Sequence, residues 1–237
     1  MEERPVILFD LDDTLFDHQY CSRVALATVQ EKHPKQLKGS LESLDQNYQE
    51  LLEHWHRKVI EGMVTLDQSR LERFRILLSV DGTFPTDSEA WAAAQLFREA
   101  YDSAYRAVPG AIELLKQVRE EFQIGIVTNH VMVEQVKKIE LIGVEPYIDE
   151  LIVSNEVGVA KPDPGIFEIA LARLGGTARQ TVMIGDSWRS DIVGATSLGM
   201  RAIWLNRYGQ SCPDPKLAKE IRELEPVEQV LTAIRQT

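Results

Sequence analysis

Cysteine is scarce in this chain: of 237 residues only Cys21 and Cys212 carry a thiol, and they form no CxxC pair. That excludes a disulfide framework and a cysteine-held zinc site, and it suits a reducing compartment. Basic residues are in deficit too, with 26 Lys and Arg against 37 Asp and Glu and a formal charge of -11. A field of that sign repels polyanions, so nucleic acid polymers and anionic lipid make poor partners, and a small anionic substrate needs a local cationic site. No run approaches the roughly 20 apolar residues of a membrane span. The opening Met1-Glu2-Glu3-Arg4-Pro5 has no basic stretch followed by an apolar one. Internal repeats and low-complexity segments are missing as well. The expectation is a cytoplasmic protein with no membrane association, a monomer or homodimer.

Hydrophobic residues make up 44% of the chain and charged ones 27%, enough for a sizeable core in one domain plus an insert. Residues 6–11 form a short apolar run broken by Asp10, which reads as a buried strand with a polar residue near its end. Similar runs follow at 124–128, 151–153, 181–185 and 202–205, with helical spacing between them. Strands alternating with helices predict an α/β fold: a Rossmann-like parallel sheet flanked by helices. Pro109-Gly110 opens a helix whose face is Ile112, Leu115, Val118 and Phe122. Asp163 N-caps another that starts at Pro164, presents Phe167, Ala170, Leu171 and Leu174, and ends at Gly175-Gly176. Further helices are predicted over 189–198 and 226–234.

Between the first strand and Pro109 lie too many strand-free residues for a structureless loop. They predict a separate helical unit over 17–108, with the core made of 1–16 and 109–237. Helical spacing covers 41–60 and 91–105, and Thr65-Leu66-Asp67-Gln68 is a capping box ahead of Leu71, Phe74 and Leu78.

Ligands of open parallel sheets bind at the carboxyl ends of the strands. There the sequence places Asp10-Leu11-Asp12-Asp13-Thr14, then Thr128-Asn129-His130, then Ser154 leading to Lys161-Pro162, then Gly185-Asp186-Ser187 with Asp191 beyond. In extended chain Asp10 and Asp12 point to the same side, which suits a nucleophile beside an acid–base group. Asp12 and Asp13 also fit a turn, and for Asp13 the turn is the better reading. Lys161 offers a point charge to a phosphate or is a surface lysine. Asp191 equally suits the first turn of a helix.

These segments resemble the haloacid dehalogenase superfamily in order, spacing and strand context, over nearly the whole chain. The resemblance implies a magnesium-dependent phosphatase acting on a small phosphorylated metabolite through an aspartyl-phosphate. Asp10 is then the nucleophile and Asp12 the acid and base, with Thr128, Asn129 and Lys161 cradling the phosphate. It further implies that Mg2+ is held by the Asp10 carboxylate, the Asp12 carbonyl and Asp186, with Asp191 and Ser187 behind them, and that 17–108 is an α-helical cap domain. His130 departs from the pattern, where many relatives have glycine. It either narrows the entrance or touches the leaving group, or it is a solvated loop residue, and His18 is open in the same way.

Gly62-Met63-Val64-Thr65 with Arg73-Phe74, and 154–162, resemble the pyrimidine 5′-nucleotidase-like subgroup. A nucleoside 5′-monophosphate is therefore the expected substrate. Tyr48, Trp55, Phe74, Trp91, Tyr101 and Tyr105 either stack on a base or form the cap's own core. The alternatives are a sugar phosphate or phosphoglycolate phosphatase, a 2-haloacid dehalogenase, a phosphosugar mutase, and a non-catalytic binding protein. Asp12 with Asp186 argues against the dehalogenase, Asp13-Thr14 against the mutase, and the filled set of positions against the silent protein.

Overall fold

A strand apolar on both faces has to be covered on both, and the first strand meets that condition. β1 (Val6–Phe9) is wholly buried in the computed structural model, which describes residues 4–236. After it come four helices, α1 (His18–Lys32), α2 (Leu41–Ile60), α3 (Leu66–Leu77) and α4 (Asp87–Ser103). The chain then alternates through α5 (Ala111–Val118), β2 (Gln123–Thr128), α6 (Met132–Leu141), β3 (Glu150–Val153), the single turn α7 (Ser154–Val157) and α8 (Pro164–Leu174). It ends with β4 (Thr181–Gly185), α9 (Gly194–Ser197), β5 (Arg201–Leu205), β6 (Lys219–Ile221) and α10 (Val227–Gln236).

The strands form one sheet in the order β3-β2-β1-β4-β5-β6, with every neighbouring pair parallel. Strand order reverses at β1, so the crevice between β1 and β4 is the switch point at which such sheets take ligands. Val6, Leu8, Val127 and Ile152 pack with Ile166, Phe167, Ala170 and Leu174 of α8 in one buried cluster. Asp163 caps α8 by accepting from Gly165 N at 2.8 Å, and Gly175 closes it in the left-handed region at φ 67°.

The described chain divides into a unit of Met1–Asp17 with Arg106–Thr237 and a second of His18–Tyr105. Residue 17 and residues 106–108, which the sequence suggests belong to the insert, are tied into the sheet unit. Phe16 bridges to Ala107, Asp17 N donates to Arg106 O at 3.1 Å and Val108 N to Leu15 O at 2.8 Å. The Asp17 carboxylate, buried, accepts from Arg106 Nε and Nη2 at 2.9 and 2.6 Å and from Arg207 Nη1 at 3.0 Å.

The helical unit has a core of its own. Tyr48 lies 4.9 Å from Phe97 and 5.9 Å from Phe74, ring centre to ring centre, and Phe97 stacks on Tyr101 at 5.8 Å. The Thr65–Gln68 capping box is present, and a second one, Thr86 with Glu89, starts α4.

Some elements differ from the sequence reading. β1 stops at Phe9, because Asp10 and Leu11 already belong to the turn. On α5 the buried face carries Leu114 in place of Ile112. The predicted helix over 189–198 is a π-helical turn, Trp188–Val193, running into α9. The terminal helix extends to Gln236 and starts one residue after Pro226.

Candidate active site

Phe9 pairs with Ile126 on one side and Ile184 on the other, so Asp10 emerges between two strands with Thr128 and Asp186 one residue beyond its level. Asp10 N still donates to Ile184 O at 2.9 Å, which holds the residue to the sheet edge. Beyond it the chain reverses tightly: Leu15 N and Phe16 N both donate to Leu11 O, at 2.9 and 2.8 Å. Asp13 takes the left-handed conformation, φ 58°, that short acidic side chains tolerate. Its carboxylate faces Arg207 at 3.7 Å, in keeping with a turn residue.

The Lys161 amine is buried between two acids, donating to Asp10 Oδ1 at 2.5 Å and to Asp191 Oδ1 at 2.6 Å. Burial alone would depress that amine, but the Asp10 and Asp191 carboxylates outweigh it and hold the pKa above the ordinary lysine value. Asp191 is fully buried, and its Oδ2 accepts from Ser187 N at 2.9 Å. It therefore braces both Lys161 and the loop after β4. The close approach requires Gly185: a Cβ there would stand 2.3 Å from Asp191 Oδ2. Trp204 Nε1 donates to Asp186 O at 2.8 Å and fixes the main chain at that acid.

Oxygens of Asp10, Asp186 and Asp191 lie within 4.8 Å of one another. Burial pushes the Asp10 carboxyl up to about 7, with Lys161 opposing and Asp191 adding to the rise. Burial also raises Asp186 well above the carboxylate range, helped by the charges of Asp10 and Asp191. Three acids gather beside one amine, which bonds to two of them, and the all-oxygen donor set suits a hard divalent cation.

Thr128 is buried, and its hydroxyl accepts from Gln135 Nε2 at 2.6 Å. Asn129 spends its amide on the main chain of Lys161, with Nδ2 donating to Lys161 O and Oδ1 accepting from Lys161 N, each at 2.8 Å. It thus sets the lysine's backbone. The His130 ring turns back on its own loop, where Val131 N donates to Nδ1 at 2.7 Å. His18 belongs to the helical unit, with Nδ1 2.6 Å from the Tyr101 hydroxyl. Tyr48, Phe74 and Tyr101 are buried in that unit's own core, whereas Trp55, Trp91 and Tyr105 are half-buried.

Asp12 has partners that the sequence reading missed. Lys138 Nζ donates to its Oδ1 at 2.6 Å and Gln135 Nε2 to its Oδ2 at 2.9 Å. Both residues sit on the buried face of α6, beside Ile139. The available signal was their three-residue spacing in register with Ile139 and Ile142, which makes them the polar members of an otherwise apolar face.

The sheet order, the acids at the ends of β1 and β4 and the lysine between them define a hydrolase of the haloacid dehalogenase type. The chain belongs to that family, whose model, described as haloacid dehalogenase-like hydrolase, matches residues 5–199. Among solved structures it is similar to the magnesium-bound HAD-hydrolase YfnB of Bacillus subtilis, with TM-score 0.76 and 27% identity over 98% of this chain and 100% of that one. A ribulose-1,5-bisphosphate 5-phosphatase of Halopiger xanaduensis is 30% identical over 200 residues, 83% of this chain and 82% of that protein. The pyrimidine 5′-nucleotidase YjjG of Escherichia coli is 41% identical over 108 residues, 45% of this chain and 48% of that protein. Among the described residues no helix is long and apolar enough to cross a membrane.

Proposed function

We propose that the chain is a magnesium-dependent phosphatase that hydrolyses a small phosphomonoester through a phosphorylated Asp10, with a nucleoside 5′-monophosphate as substrate. The observation that carries the reading is the Lys161 amine, buried against Asp10 and Asp191 with Asp186 alongside. An acid to attack, a cation to meet the phosphate and further acids to hold a metal stand at one sheet edge, and phosphoryl transfer is mostly positioning and charge stabilisation.

The Asp10 carboxylate attacks phosphorus and the ester oxygen leaves with the bonding pair, taking a proton from Asp12. Asp12 then takes a proton from water as that water attacks phosphorus and frees Asp10. Lys161 and the Thr128 hydroxyl face the phosphate, Asn129 holds Lys161, and Asp191 with Ser187 orients the lysine and the loop carrying Asp186. Asp10, the Asp12 carbonyl and Asp186 would hold the magnesium ion, which neutralises the acids and polarises the phosphate oxygens when bound. The helical unit His18–Tyr105 serves as the cap that selects the leaving group.

The nucleotide reading is supported by the segment resemblance at 62–74 and 154–162 and by the similarity to a pyrimidine 5′-nucleotidase. A sugar phosphate is the second reading, because the similarity to a ribulose bisphosphate phosphatase extends over most of both chains. Hydrolysis of p-nitrophenyl phosphate with magnesium and with EDTA tests the chemistry; equal rates in the two would end the metal's part. A panel of nucleoside monophosphates, sugar phosphates and phosphoglycolate tests the substrate, and the expected winner by kcat/KM is a nucleotide.

A further inference from the structure

Helix α6 buries a lysine and a glutamine on the face where an amphipathic helix places apolar groups. A lysine close to the surface ordinarily extends its amine towards water. Lys138 does the reverse: its side chain is 4% exposed, and its amine points at Asp12, whose own side chain is 27% exposed. Gln135 is fully buried, and its Nε2 spans two acceptors, Asp12 Oδ2 at 2.9 Å and Thr128 Oγ1 at 2.6 Å. Each oxygen of Asp12 thus meets one donor from a single helix face. Because the Thr128 hydroxyl accepts from Gln135, its own proton is left to be donated elsewhere. One amide therefore links the acid after β1 to the hydroxyl that ends β2.

We infer that Gln135 and Lys138 are positioning residues, which fix the direction of the Asp12 carboxyl beside the phosphate cradle so that it meets the ester oxygen in one step and water in the next. This rests on the reaction proposed above and gives α6 a part in it. A group held by two donors keeps its place between the two proton transfers, whereas a carboxyl free on its turn would have to be ordered again at each.

The leaving group provides the test, since p-nitrophenolate departs without a proton and an alkoxide needs one. We would measure kcat/KM, which stops at ester cleavage, for full-length wild type, Lys138→Met, Lys138→Arg, Gln135→Met and Asp12→Asn. The two esters are p-nitrophenyl phosphate and whichever of UMP and ribose 5-phosphate the wild type cleaves faster. Lys138→Met is expected to lose roughly 10- to 100-fold on the alkyl ester and several-fold less on the aryl ester, with inhibition by inorganic phosphate unchanged. Lys138→Arg should restore most of the alkyl activity. Equal losses on the two esters, or none, in protein with a wild-type circular dichroism melt would overturn the inference. Should Lys138→Met fail to fold, the same ratio is read from Gln135→Met, with Lys138→Arg again expected near wild type. If wild type cleaves neither ester, or Asp12→Asn spares the alkyl ester, the proposed reaction is wrong. If Asp12→Asn removes alkyl activity and the α6 variants match wild type, only the positioning role falls.

Discussion

Lys161 compensates two buried acids, so its removal is expected to cost stability as well as activity. Lys161→Met is expected to lower kcat/KM on p-nitrophenyl phosphate by about 10²- to 10³-fold, the range for deleting a buried charge aimed at a reacting oxygen. Asp10→Asn should abolish turnover, by roughly 10³-fold or more, with circular dichroism unchanged. Asp10 itself makes the metal-free protein sensitive to pH. Its carboxyl is raised from 3.8 to about 7 in the folded state, so folding favours the protonated form. Stability from this group is full below its unfolded value and is lost as pH rises through about 7; the raised Asp186 acts in the same direction. In EDTA the melting temperature should therefore fall between pH 5 and pH 8, and magnesium should raise it more at pH 8. A melt equally sensitive to magnesium at both pH values would contradict this. At this scale Asp10 and Asp186 were legible as candidates because polar residues at the ends of apolar strands stand out, and Lys161 because a cation followed an apolar segment with no amphipathic reason for it. Gln135 and Lys138 were not, because polar residues on a helix are ordinarily solvated and only their register with Ile139 and Ile142 marks them as buried.

Among elements, the end of β4 carries the tightest constraint. The wide turn at Trp188–Val193 brings Asp191 back over Gly185, where there is no room for a methyl group. Gly185→Ala should push Asp191 off Lys161 and cut activity about 10²-fold, while α2, α3 and α4 keep their own melting behaviour. An alanine variant with wild-type kcat would show that the contact is dispensable. The sequence reading expected an ordinary helix over 189–198, because a π-helical turn has no periodicity of its own to read. β1 to β5 were legible as short apolar runs, since strands covered on both faces alternate little. β6 was not: Lys219-Glu220-Ile221 is an edge strand with charged side chains, recognisable only by its pairing with β5. α1 went unread because its buried face includes Cys21, Ser22 and Ala25, too small and too polar to mark a stripe.

On the scale of the whole molecule, Asp17 secures the place where the chain leaves the sheet unit and returns to it. Asp17→Ala would strand Arg207, largely buried, and release Arg106, so urea denaturation is expected to show a loss of about 2 kcal/mol, reduced from a fully buried pair by the exposure of Arg106. No change in the midpoint would mean that the arginines find other partners. The sequence signalled a helical insert through its missing strands, but the positions of the joints depended on backbone pairing that no residue type announces.

That pairing has a further consequence. The outgoing and returning segments pair through two backbone hydrogen bonds, so the stretch from His18 to Tyr105 leaves and rejoins the sheet unit at neighbouring positions. Recombination between two related genes needs only one crossover at each joint to exchange the stretch, and the sheet keeps its register throughout. Under the proposed division of labour, chemistry and appetite can be inherited from different parents.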